Sequence, residues 1–579
     1  MQRGGDDDLR IRLKDVTIGE SVIAFPDSGV TAIVGPNNVG KSTFLRELLN
    51  SQTNPAAPRL IVGAVSLDVK GDWTAALRWL ESQTTTNHAP GGVRSFQRMG
   101  AVLDDYSAQN AWEGLLSGDG MRAWSGMLVH YADTTSKDQV LAPAPRLPAG
   151  EAPSMPMQKL FVSGDALSKV RALARESFGI SLEMDEMGSD LFLRVGEVTS
   201  RRPALGEPKE EYHAELASLP LLARQGDGLK SYLANLMPLV TATYSIVLID
   251  EPEAYLHPPQ ALRLGRELAQ ISQELGIQVV LATHDRSLLA GLLDSEAEIS
   301  IVRLIRRGNS TEAAQLSAET LKGMRSDPIL RYSNVLDGIF HQLVVAVEGW
   351  DDCTFYRAAL DHLVKKGRVP STVDVLFVPT NGKQALHKFV TAVRQASVPA
   401  VASPDLDILR NKKDLETLVV ASGGDWEAIK PLLNDFYQAA NIGARTRSRG
   451  DVLKEVTSAL QPSEGDYDRT TRAAAKMIVE RDTVWPDARR IGVIFFDGDA
   501  RVKLTTLLDA LDQCGVILVR DGQLESFYGE MKKGSAWINE AMAHAAFQRD
   551  PVLGHVYRLI EVGIPGIASA SEDSDRCAD

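Results

Sequence analysis

The chain has 579 residues, of which 44% are hydrophobic, and its formal net charge is −14 at pH 7. At roughly 150 residues per domain, this length predicts three or four structural units, each able to bury a core. The acidic balance excludes binding by bulk positive charge, although it does not exclude a local basic groove. Cys353, Cys514 and Cys577 lack the spacing of a zinc site or a disulfide framework. No apolar run reaches the roughly 18 residues of a membrane span, and the N-terminus lacks a signal peptide's apolar core, so we expect a soluble cytoplasmic protein.

The first half of the chain begins with short strands and ends with a regular strand–helix series. Residues 9–34 alternate apolar and polar positions, and a helix is predicted to begin near Gly40. Residues 51–215 mix amphipathic stretches with Pro- and Gly-rich loops, and they indicate no chemistry. From residue 228 the pattern predicts the helix LKSYLANLMPLV, the buried strand SIVLIDEPE, the helix PPQALRLGRELAQISQELG and the strand QVVLATHD.

A composition change near residues 325–340 predicts a domain boundary, and a second strand–helix series follows it. Its predicted elements are LVVAVEGWDD, VDVLFVPT, HKFVTAVRQAS and PAVASPDLD. A mainly helical stretch, about residues 410–488, interrupts this series, which resumes with the strands RIGVIFFDGD and GVILVRDGQLE. The tail, about residues 565–579, is predicted to be disordered.

The segment GPNNVGKS fits the P-loop pattern and lies in the required context, between an apolar strand and a helix. Small residues let backbone N–H groups face phosphate oxygens at a helix N-terminus. Lys41 would reach the β and γ phosphates, and the Ser42 hydroxyl would hold Mg²⁺. The predicted ATP-binding residues of this segment are Gly35, Pro36, Asn37, Asn38, Val39, Gly40, Lys41, Ser42 and Thr43.

Two later strands end in side chains that suit ATP hydrolysis. The apolar run Ile246–Ile249 is followed by Asp250 and Glu251. A carboxylate at such a strand end can bind the Mg²⁺ water shell, and its neighbour can polarise the attacking water. The strand QVVLAT then delivers His284 to the same edge. A lone histidine is more often structural, but the order of these motifs favours a functional role.

In this order, the motifs of about residues 9–310 resemble the ABC-type ATPase heads of the SMC, RecF and OLD (overcoming lysogenization defect) proteins. The resemblance implies that Glu251 is the catalytic glutamate and that His284 is the switch histidine that senses the γ-phosphate. Gln97 is either the Q-loop glutamine of such heads or a solvated loop residue, and the sequence favours the second interpretation.

The segment Arg224–Gly228 lies where such heads carry their signature loop, which caps the ATP of a partner subunit. The resemblance therefore implies a homodimer or higher oligomer in which Gly226, Asp227 and Gly228 contact that ATP. Gln225 stands where the family usually has serine, so an amide side chain replaces the usual hydroxyl at the contact across the dimer.

Carboxylates follow two strands of the second series. Glu348 and Asp352 come after LVVAV, and Asp405 and Asp407 come after PAVAS. Because parallel strands end at one edge of a sheet, we expect these carboxylates to converge. Carboxylates without Cys or His nearby suit Mg²⁺ or Mn²⁺, and two such ions can activate a water and stabilise the leaving oxygen of a phosphodiester.

These carboxylates resemble those of a Toprim domain, and a Toprim domain after an ABC head resembles the OLD family of ATP-dependent nucleases. The resemblance implies that Glu348 and Asp405 are catalytic, and that Ser403 orients a metal-bound water. It also implies a basic residue near the scissile phosphate, for which Lys532 or Lys533 is the candidate, with solvated lysines as the alternative. The implied metal ligands are Glu348, Asp352, Asp405, Asp407 and Glu525.

A second Asp-x-Asp, formed by Asp497 and Asp499, competes with Asp405 and Asp407 for the metal role. The spacing from Glu348 favours the earlier pair, because the later one would require a long detour of the chain between neighbouring strands. Asp497 and Asp499 stay the alternative ligands.

The expected fold class is therefore α/β, with an ABC-type P-loop ATPase head in residues 1–335 and a Rossmann-like Toprim domain in residues 336–579. Residues 51–215 are an insert, implied by the resemblance to serve dimerisation, and the helical insert lies in the second domain. ATP and Mg²⁺ or Mn²⁺ are the implied cofactors, with one ion at the ATPase site and two at the Toprim site.

The resemblance implies an ATP-regulated, metal-dependent DNA endonuclease or nickase used in bacterial defence against phage or plasmids. It acts alone or beside a helicase-like protein or a reverse transcriptase, and no membrane partner is expected. The alternative is a non-nucleolytic DNA sensor or repair ATPase whose Toprim fold recruits an effector.

Overall fold

The computed structural model divides the chain into two compact units, Met1–Gly323 and Met324–Asp579, shortly before the predicted boundary at 335/336. The described residues are 9–54, 56–88, 93–98, 101–133, 137–148, 151–203, 210–242, 244–308, 310–316, 319, 322–323, 326, 335–442, 448–460, 471–472, 475, 478, 484–529 and 535–566. Among their helices, none combines the length and the apolarity that crossing a membrane requires.

Fifteen named strands lie in the first unit's described residues. They are β1 (Arg10–Ile18), β2 (Ser21–Ala24), β3 (Gly29–Val34), β4 (Val62–Lys70), β5 (Thr85–His88), β6 (Arg94–Arg98), β7 (Ala101–Asp104), β8 (Val129–Ala132), β9 (Ala144–Pro145), β10 (Leu182–Asp185), β11 (Asp190–Val195), β12 (Ile246–Asp250), β13 (Gln278–Ala282), β14 (Ile299–Arg307) and β15 (Ser310–Leu316). The α-helices of this unit are Lys41–Thr53, Trp73–Gln83, Asp105–Leu116, Ser125–Leu128, Lys137–Val140, Pro156–Val162, Gly164–Phe178, Glu210–Ser218, Asp227–Val240, Pro258–Leu275 and Arg286–Leu293.

The central sheet of the first unit has the strand order β15-β14-β3-β13-β12-β8, and all pairs are parallel except β14 with β15. Every residue of β3 and β13 is buried, as expected for continuous apolar runs inside a parallel sheet. The strands and helices predicted on either side of the P-loop and from residue 228 are confirmed. The carboxyl ends of β3, β12 and β13 share one edge, where the P-loop, Asp250 and Thr283 follow.

The region of residues 51–215 adds small antiparallel sheets to this unit. Strands β5, β6 and β7 form one of them, and β9, β10 and β11 form another, while β4 pairs with β1. Gln97 lies on β6 with its side chain exposed, so it is solvated as predicted but belongs to a strand and not to a loop. The strand was not predicted because it has only five residues, three of them with charged or amide side chains.

The second unit is built on the strands β16 (Leu343–Val347), β17 (Val375–Pro379) and β18 (Ala400–Ser403), which are parallel in the order β17-β16-β18. Residues 516–519 extend this sheet beyond β18, since Ile517 N–H donates to Ala402 O at 2.8 Å and Val519 N–H donates to Pro404 O at 3.2 Å. The α-helices are Trp350–Lys365, Leu386–Gln395, Lys412–Ala421, Trp426–Ala439, Arg449–Leu460, Trp485–Ile491, Gly498–Gln513, Ser535–Ala543 and Asp550–Gly563.

The strand predicted for RIGVIFFDGD is wrong. The helix Trp485–Ile491 runs into this segment, and a 3₁₀ turn, Gly492–Phe495, follows it. The apolar run suggested a buried strand, but the Ile494 side chain is 68% exposed. The chain turns at Gly492, whose φ of 80° is accessible to glycine and ends the helix. The helices predicted between residues 410 and 488 are confirmed within the described residues, and most of the predicted disordered tail lies outside them.

Candidate functional site

The P-loop joins β3 to the helix Lys41–Thr53. Gly35, Asn38 and Gly40 adopt positive φ angles, and a Cβ at Gly35 would lie 2.7 Å from Leu304 O, so the loop requires glycine there. Lys41 Nζ donates to Gly35 O at 2.9 Å and to Pro36 O at 3.0 Å, which curls its ammonium over the loop. Burial lowers the pKa of Lys41, against the opposing effect of Glu251, Glu253 and Asp250.

The acidic strand end meets the P-loop directly. Ser42 Oγ–H donates to Asp250 Oδ1 at 3.0 Å, although the two residues are 208 positions apart. Burial raises the pKa of Asp250, because a carboxylate loses hydration there. A hydroxyl and a carboxylate in contact at a P-loop are the groups that can share the coordination of one Mg²⁺.

Glu251 and His284 lie side by side at the same sheet edge. The distance from His284 Nδ1 to Glu251 Oε1 is 3.7 Å, and both side chains are about half exposed. Glu251 has a φ of 49° and its N–H donates to Ala282 O at 3.0 Å, so the backbone after β12 turns sharply. The predicted pair is thus brought together next to Asp250.

Glu253 is a part of this site that the sequence analysis missed. It is 7% exposed, and its Oε1 accepts from Thr283 Oγ1 at 2.8 Å and from His284 N at 3.1 Å. Burial raises the pKa of Glu253. Its carboxyl group therefore holds the backbone that carries His284. The spacing Glu-Pro-Glu after an acidic strand was the available signal.

The segment proposed as a signature loop ends at a helix start. Gly226 is the N-cap of Asp227–Val240, so Asp227 and Gly228 lie in its first turn. A Cβ at Gly228 would approach Tyr255 O to 3.0 Å, and the Asp227 carboxylate pairs with Lys230 Nζ at 3.0 Å. Backbone N–H groups at a helix N-terminus suit an anion. The sequence Gln225-Gly226 leaves no serine hydroxyl at this point.

The second candidate site is a group of carboxylates in the second unit. Glu348, Asp405 and Asp407 each place a carboxylate oxygen within 4.8 Å of the others. Glu348 follows β16 and the aspartates follow β18, so the parallel topology brings them together as predicted from their strand-end positions. Asp405 is 2% exposed, and its N–H donates to Glu348 Oε1 at 3.2 Å.

Asp352 and Glu525 do not belong to this three-carboxylate group. Asp352 Oδ2 accepts from Gly349 N at 3.0 Å and so caps the helix Trp350–Lys365. Glu525 is 3% exposed, and neither of its carboxylate oxygens has a hydrogen-bond partner among the described residues. The turn before Glu525 is tied to the Asp-x-Asp loop, because Leu406 N–H donates to Gly522 O at 2.8 Å. A buried carboxylate with unpaired oxygens fits a cation ligand.

Two basic side chains that the sequence analysis missed contact the carboxylates. Arg489 Nη2 lies 2.9 Å from Asp405 Oδ2, its Nη1 lies 3.7 Å from Asp407 Oδ2, and Lys383 Nζ lies 3.2 Å from the same Asp407 oxygen. Burial alone would lower the pKa of Arg489, but the charges of Asp405 and Asp407 raise it overall. The candidate Lys532 and Lys533 lie outside the described residues.

Ser403, at the end of β18, contacts a buried histidine. The distance from Ser403 Oγ to His555 Nε2 is 2.8 Å, and Arg558 Nη2 lies 3.3 Å from His555 Nδ1. Arginine only donates, so Nδ1 is an acceptor and the proton of the neutral ring lies on Nε2. Burial, together with the charges of Arg558 and Arg520, lowers the pKa of His555 well below its ordinary value.

The competing Asp-x-Asp lies elsewhere. Asp497 is the N-cap residue of Gly498–Gln513, its side chain is 96% exposed, and it pairs with Arg501 at 3.6 Å. Neither Asp497 nor Asp499 joins the carboxylate group of Glu348 among the described residues. Both follow a 3₁₀ turn and not the strand that the sequence predicted.

Comparison with known proteins finds similarity to an AAA domain family, to a nuclease and to an ATP-binding protein. Residues 200–290 match the family described as "AAA domain, putative AbiEii toxin, Type IV TA system". The chain is 26% identical over 173 residues to Old nuclease of Escherichia phage P2, which covers 29% of this chain and 28% of that protein. It is also 29% identical over 130 residues to the methionine import ATP-binding protein MetN of Xanthomonas oryzae pv. oryzae (strain MAFF 311018), with 22% and 33% covered.

The chain thus spans a third or less of the length of these two relatives. Within those limits, the predicted resemblance to an OLD protein is confirmed as a sequence similarity. Among solved structures, the SMC head bound to the C-winged helix domain of ScpA is similar with a TM-score of 0.33 and 14% identity, covering 54% of this chain and 98% of that one. The cbiO1 protein of Clostridium perfringens has a TM-score of 0.26 and 15% identity, with 55% and 94% covered. Scores this low do not establish a shared fold.

Proposed function

We propose that this chain is an ATP-hydrolysing, metal-dependent DNA endonuclease of the OLD type, with an ABC-type ATPase site in its first unit and a Toprim nuclease site in its second. The observation that carries the proposal is the convergence of Glu348, Asp405 and Asp407 within 4.8 Å at a parallel-sheet edge, in a chain that also has a P-loop. The similarity to Old nuclease supports the same assignment.

In the first unit, the P-loop backbone and Lys41 bind the phosphates of ATP, while Ser42 and Asp250 hold Mg²⁺. Glu251 accepts a proton from the attacking water, and His284 contacts the γ-phosphate, with Glu253 holding the His284 backbone. Gly226, Asp227 and Gly228 face the ATP of a second copy, which makes the ATPase a homodimer or higher oligomer.

In the second unit, Glu348, Asp405 and Asp407 would hold Mg²⁺ or Mn²⁺. Glu525, whose buried oxygens have no hydrogen-bond partner among the described residues, and Asp352, which also caps a helix, lie outside this group and are the further proposed ligands. Ions held by these residues would lower the pKa of the attacking water and neutralise charge on the phosphodiester. Ser403 accepts from His555, so its own hydroxyl proton is available to a water or phosphate oxygen. Positive side chains next to the DNA phosphates come from Arg489 and Lys383, or from Lys532 and Lys533. A role in defence against phage or plasmids is proposed from the resemblance to the OLD family alone.

The test is nicking of supercoiled plasmid by the purified full chain with Mg²⁺ or Mn²⁺, with and without ATP. Asp405→Ala should lower cleavage at least about 100-fold, the scale of losing a metal ligand, while ATP turnover stays within about twofold. Asp497→Ala is the matched control, since that exposed aspartate belongs to the other Asp-x-Asp and should cut normally.

Lys41→Ala should show the reverse pattern, with no ATP turnover and residual metal-dependent cleavage. Loss of cleavage in Asp497→Ala with normal cutting by Asp405→Ala would mean that the wrong acidic pair carries the metal. Wild-type protein that turns over ATP but never nicks DNA with either metal would instead support a non-nucleolytic DNA sensor.

A further inference from the structure

Two cations occupy the positions where a divalent ion would neutralise the carboxylates of the second unit. Arg489 contacts both aspartates of the Asp-x-Asp loop, and Lys383 contacts Asp407. The two cations approach from different elements, the helix Trp485–Ile491 and the 3₁₀ turn Lys383–Ala385. Each of these elements is tied to the carboxylate loops through its backbone.

The Arg489 backbone is held tightly, so its side chain is the part that can move. A Cβ at Gly522 would come within 2.2 Å of Arg489 O, and Gly522 has a φ of 104°, so only glycine allows this approach. Ser526 Oγ–H also donates to Arg490 O at 2.9 Å. The Arg489 side chain is 37% exposed, so it reaches from a fixed anchor to solvent at the carboxylate group.

The Lys383 turn is anchored in the same way. Gly382 N–H donates to Glu348 O at 2.9 Å, which places the turn beside the first carboxylate. The Lys383 side chain is 33% exposed. The carboxylates therefore lie between two cationic side chains. The backbone that carries each cation is held beside the carboxylates, and its charged end is partly exposed to solvent.

The Arg489 guanidinium is only partly satisfied. It donates one hydrogen bond of 2.9 Å to Asp405, whereas its buried Nε has no acceptor among the described residues. A guanidinium has five N–H donors in a planar fork that matches phosphate oxygens. The donors that face solvent can therefore bind a second anionic acceptor.

Charge balance shows when that acceptor is needed. The three converging carboxylates with Arg489 and Lys383 leave one net negative charge, and the further proposed ligands Asp352 and Glu525 bring it to three. Two divalent cations therefore make the group positive. Excess positive charge next to a guanidinium is relieved when the guanidinium leaves the aspartate and binds another anion, and the DNA backbone carries one negative charge per phosphate.

We propose that Arg489 exchanges partners when metal binds: it competes with the divalent ion for Asp405 and, once displaced, binds a backbone phosphate of the DNA. Lys383 supports the same exchange at Asp407. This inference rests on the proposed nuclease function and adds to it a coupling between metal and DNA binding. Arg489 thereby links the two events, since DNA binds best to the site whose aspartates already hold metal.

Mn²⁺ binding to the full chain without nucleotide, measured by titration calorimetry, tests the first half of the exchange. Arg489→Ala should bind Mn²⁺ about fivefold more tightly than wild type, the size of one partly exposed ion pair. Arg501→Ala, which removes a similar arginine from the exposed Asp497, should leave Mn²⁺ affinity unchanged. Arg489→Lys keeps the charge and should bind Mn²⁺ nearly as wild type does, which guards against a folding defect in the alanine variant.

Binding of a short fluorescent duplex DNA in Ca²⁺ tests the second half. Arg489→Ala should weaken that binding about tenfold, and Arg489→Lys should restore part of it. Tighter Mn²⁺ binding without any loss of DNA affinity would overturn the exchange, and so would unchanged or weaker Mn²⁺ binding by Arg489→Ala. Asp405→Ala distinguishes failure of the proposed metal site from failure of the exchange. If Asp405→Ala binds Mn²⁺ as wild type does, the proposed metal site is wrong. If Asp405→Ala loses Mn²⁺ binding while Arg489→Ala binds Mn²⁺ as wild type does, only the exchange is wrong.

Discussion

Glu253 offers the sharpest test of the ATPase site, because its buried carboxyl group anchors His284 without lying in any motif. Its Oε1 accepts from the Thr283 hydroxyl at 2.8 Å and the His284 N–H at 3.1 Å, while Oε2 has no partner among the described residues. We expect Glu253→Ala to leave both donors without their acceptor and Glu253→Gln to keep one acceptor oxygen in place.

The two variants should therefore lower the free energy of unfolding by different amounts. Leaving a buried donor without its acceptor costs about 1–3 kcal/mol, so doing this to two donors would cost about 2–6 kcal/mol. Removing a buried carboxylate, whose pKa burial raises, offsets part of this cost. We expect Glu253→Ala to lower the free energy of unfolding by about 2–4 kcal/mol, and Glu253→Gln by about 1 kcal/mol.

The effect on catalysis follows from the position of His284. Release of its backbone displaces the imidazole, and misplacement of a catalytic group by about 1 Å can cost roughly 100-fold in rate. ATP turnover at saturating ATP should thus fall about 10- to 100-fold in Glu253→Ala and about threefold in Glu253→Gln. Urea unfolding and a coupled ATPase assay measure the two quantities.

Glu267→Gln is the matched control, because burial also raises the pKa of that carboxyl group on the helix Pro258–Leu275. It should leave ATP turnover unchanged. Normal turnover by a folded Glu253→Ala protein would refute the argument that this carboxyl group positions His284.

Two further predictions concern the same unit. Glu251→Gln should bind ATP but hydrolyse it at least about 100-fold more slowly, the scale of a lost general base, and undiminished turnover would remove that role from Glu251. The specific ATPase rate should rise with protein concentration, because each ATP is capped by a second copy; a monomer with a concentration-independent rate would contradict the dimeric site.

The sequence was sufficient for the parts of each site that lie in one local pattern. The P-loop, the acidic strand end and the strand before His284 are each read from a few adjacent residues, and the parallel topology then brings them together. Glu348, Asp405 and Asp407 follow the same logic. The carboxyl ends of adjacent parallel strands lie at the same edge of the sheet, so residues that follow β16 and β18 can meet.

The sequence could not predict contacts between segments that are distant along the chain. Arg489 meets Asp405 across 84 positions, and it was hidden because its neighbours were predicted as a strand. Ser403 meets His555 across 152 positions. Glu253 lies close to its motif, yet an acidic residue after a strand is ordinary, and only its burial distinguishes it.

The buried histidine behind Ser403 leads to a pH prediction. His555 is 1% exposed, and its pKa in the folded chain lies well below the ordinary value of about 6.5, because of burial and the nearby Arg558 and Arg520. Asp512 pairs with Arg520 at 2.6 Å, so it partly offsets the effect of that arginine on the pKa of His555.

Below about pH 6.5 the unfolded chain binds a proton at His555 that the folded chain does not, so stability falls as the pH falls. One such proton lowers the free energy of unfolding by up to about 1.4 kcal/mol per pH unit. His555→Gln has no titrating ring, so its unfolding free energy should fall less than that of wild type between pH 6.5 and 5.5. Urea titrations at both values give the difference, in which the contributions of other groups cancel. An equal loss of unfolding free energy in the two proteins would mean that His555 has the same pKa in the folded and unfolded chains. The assignment of a neutral ring that donates to Ser403 would then be wrong.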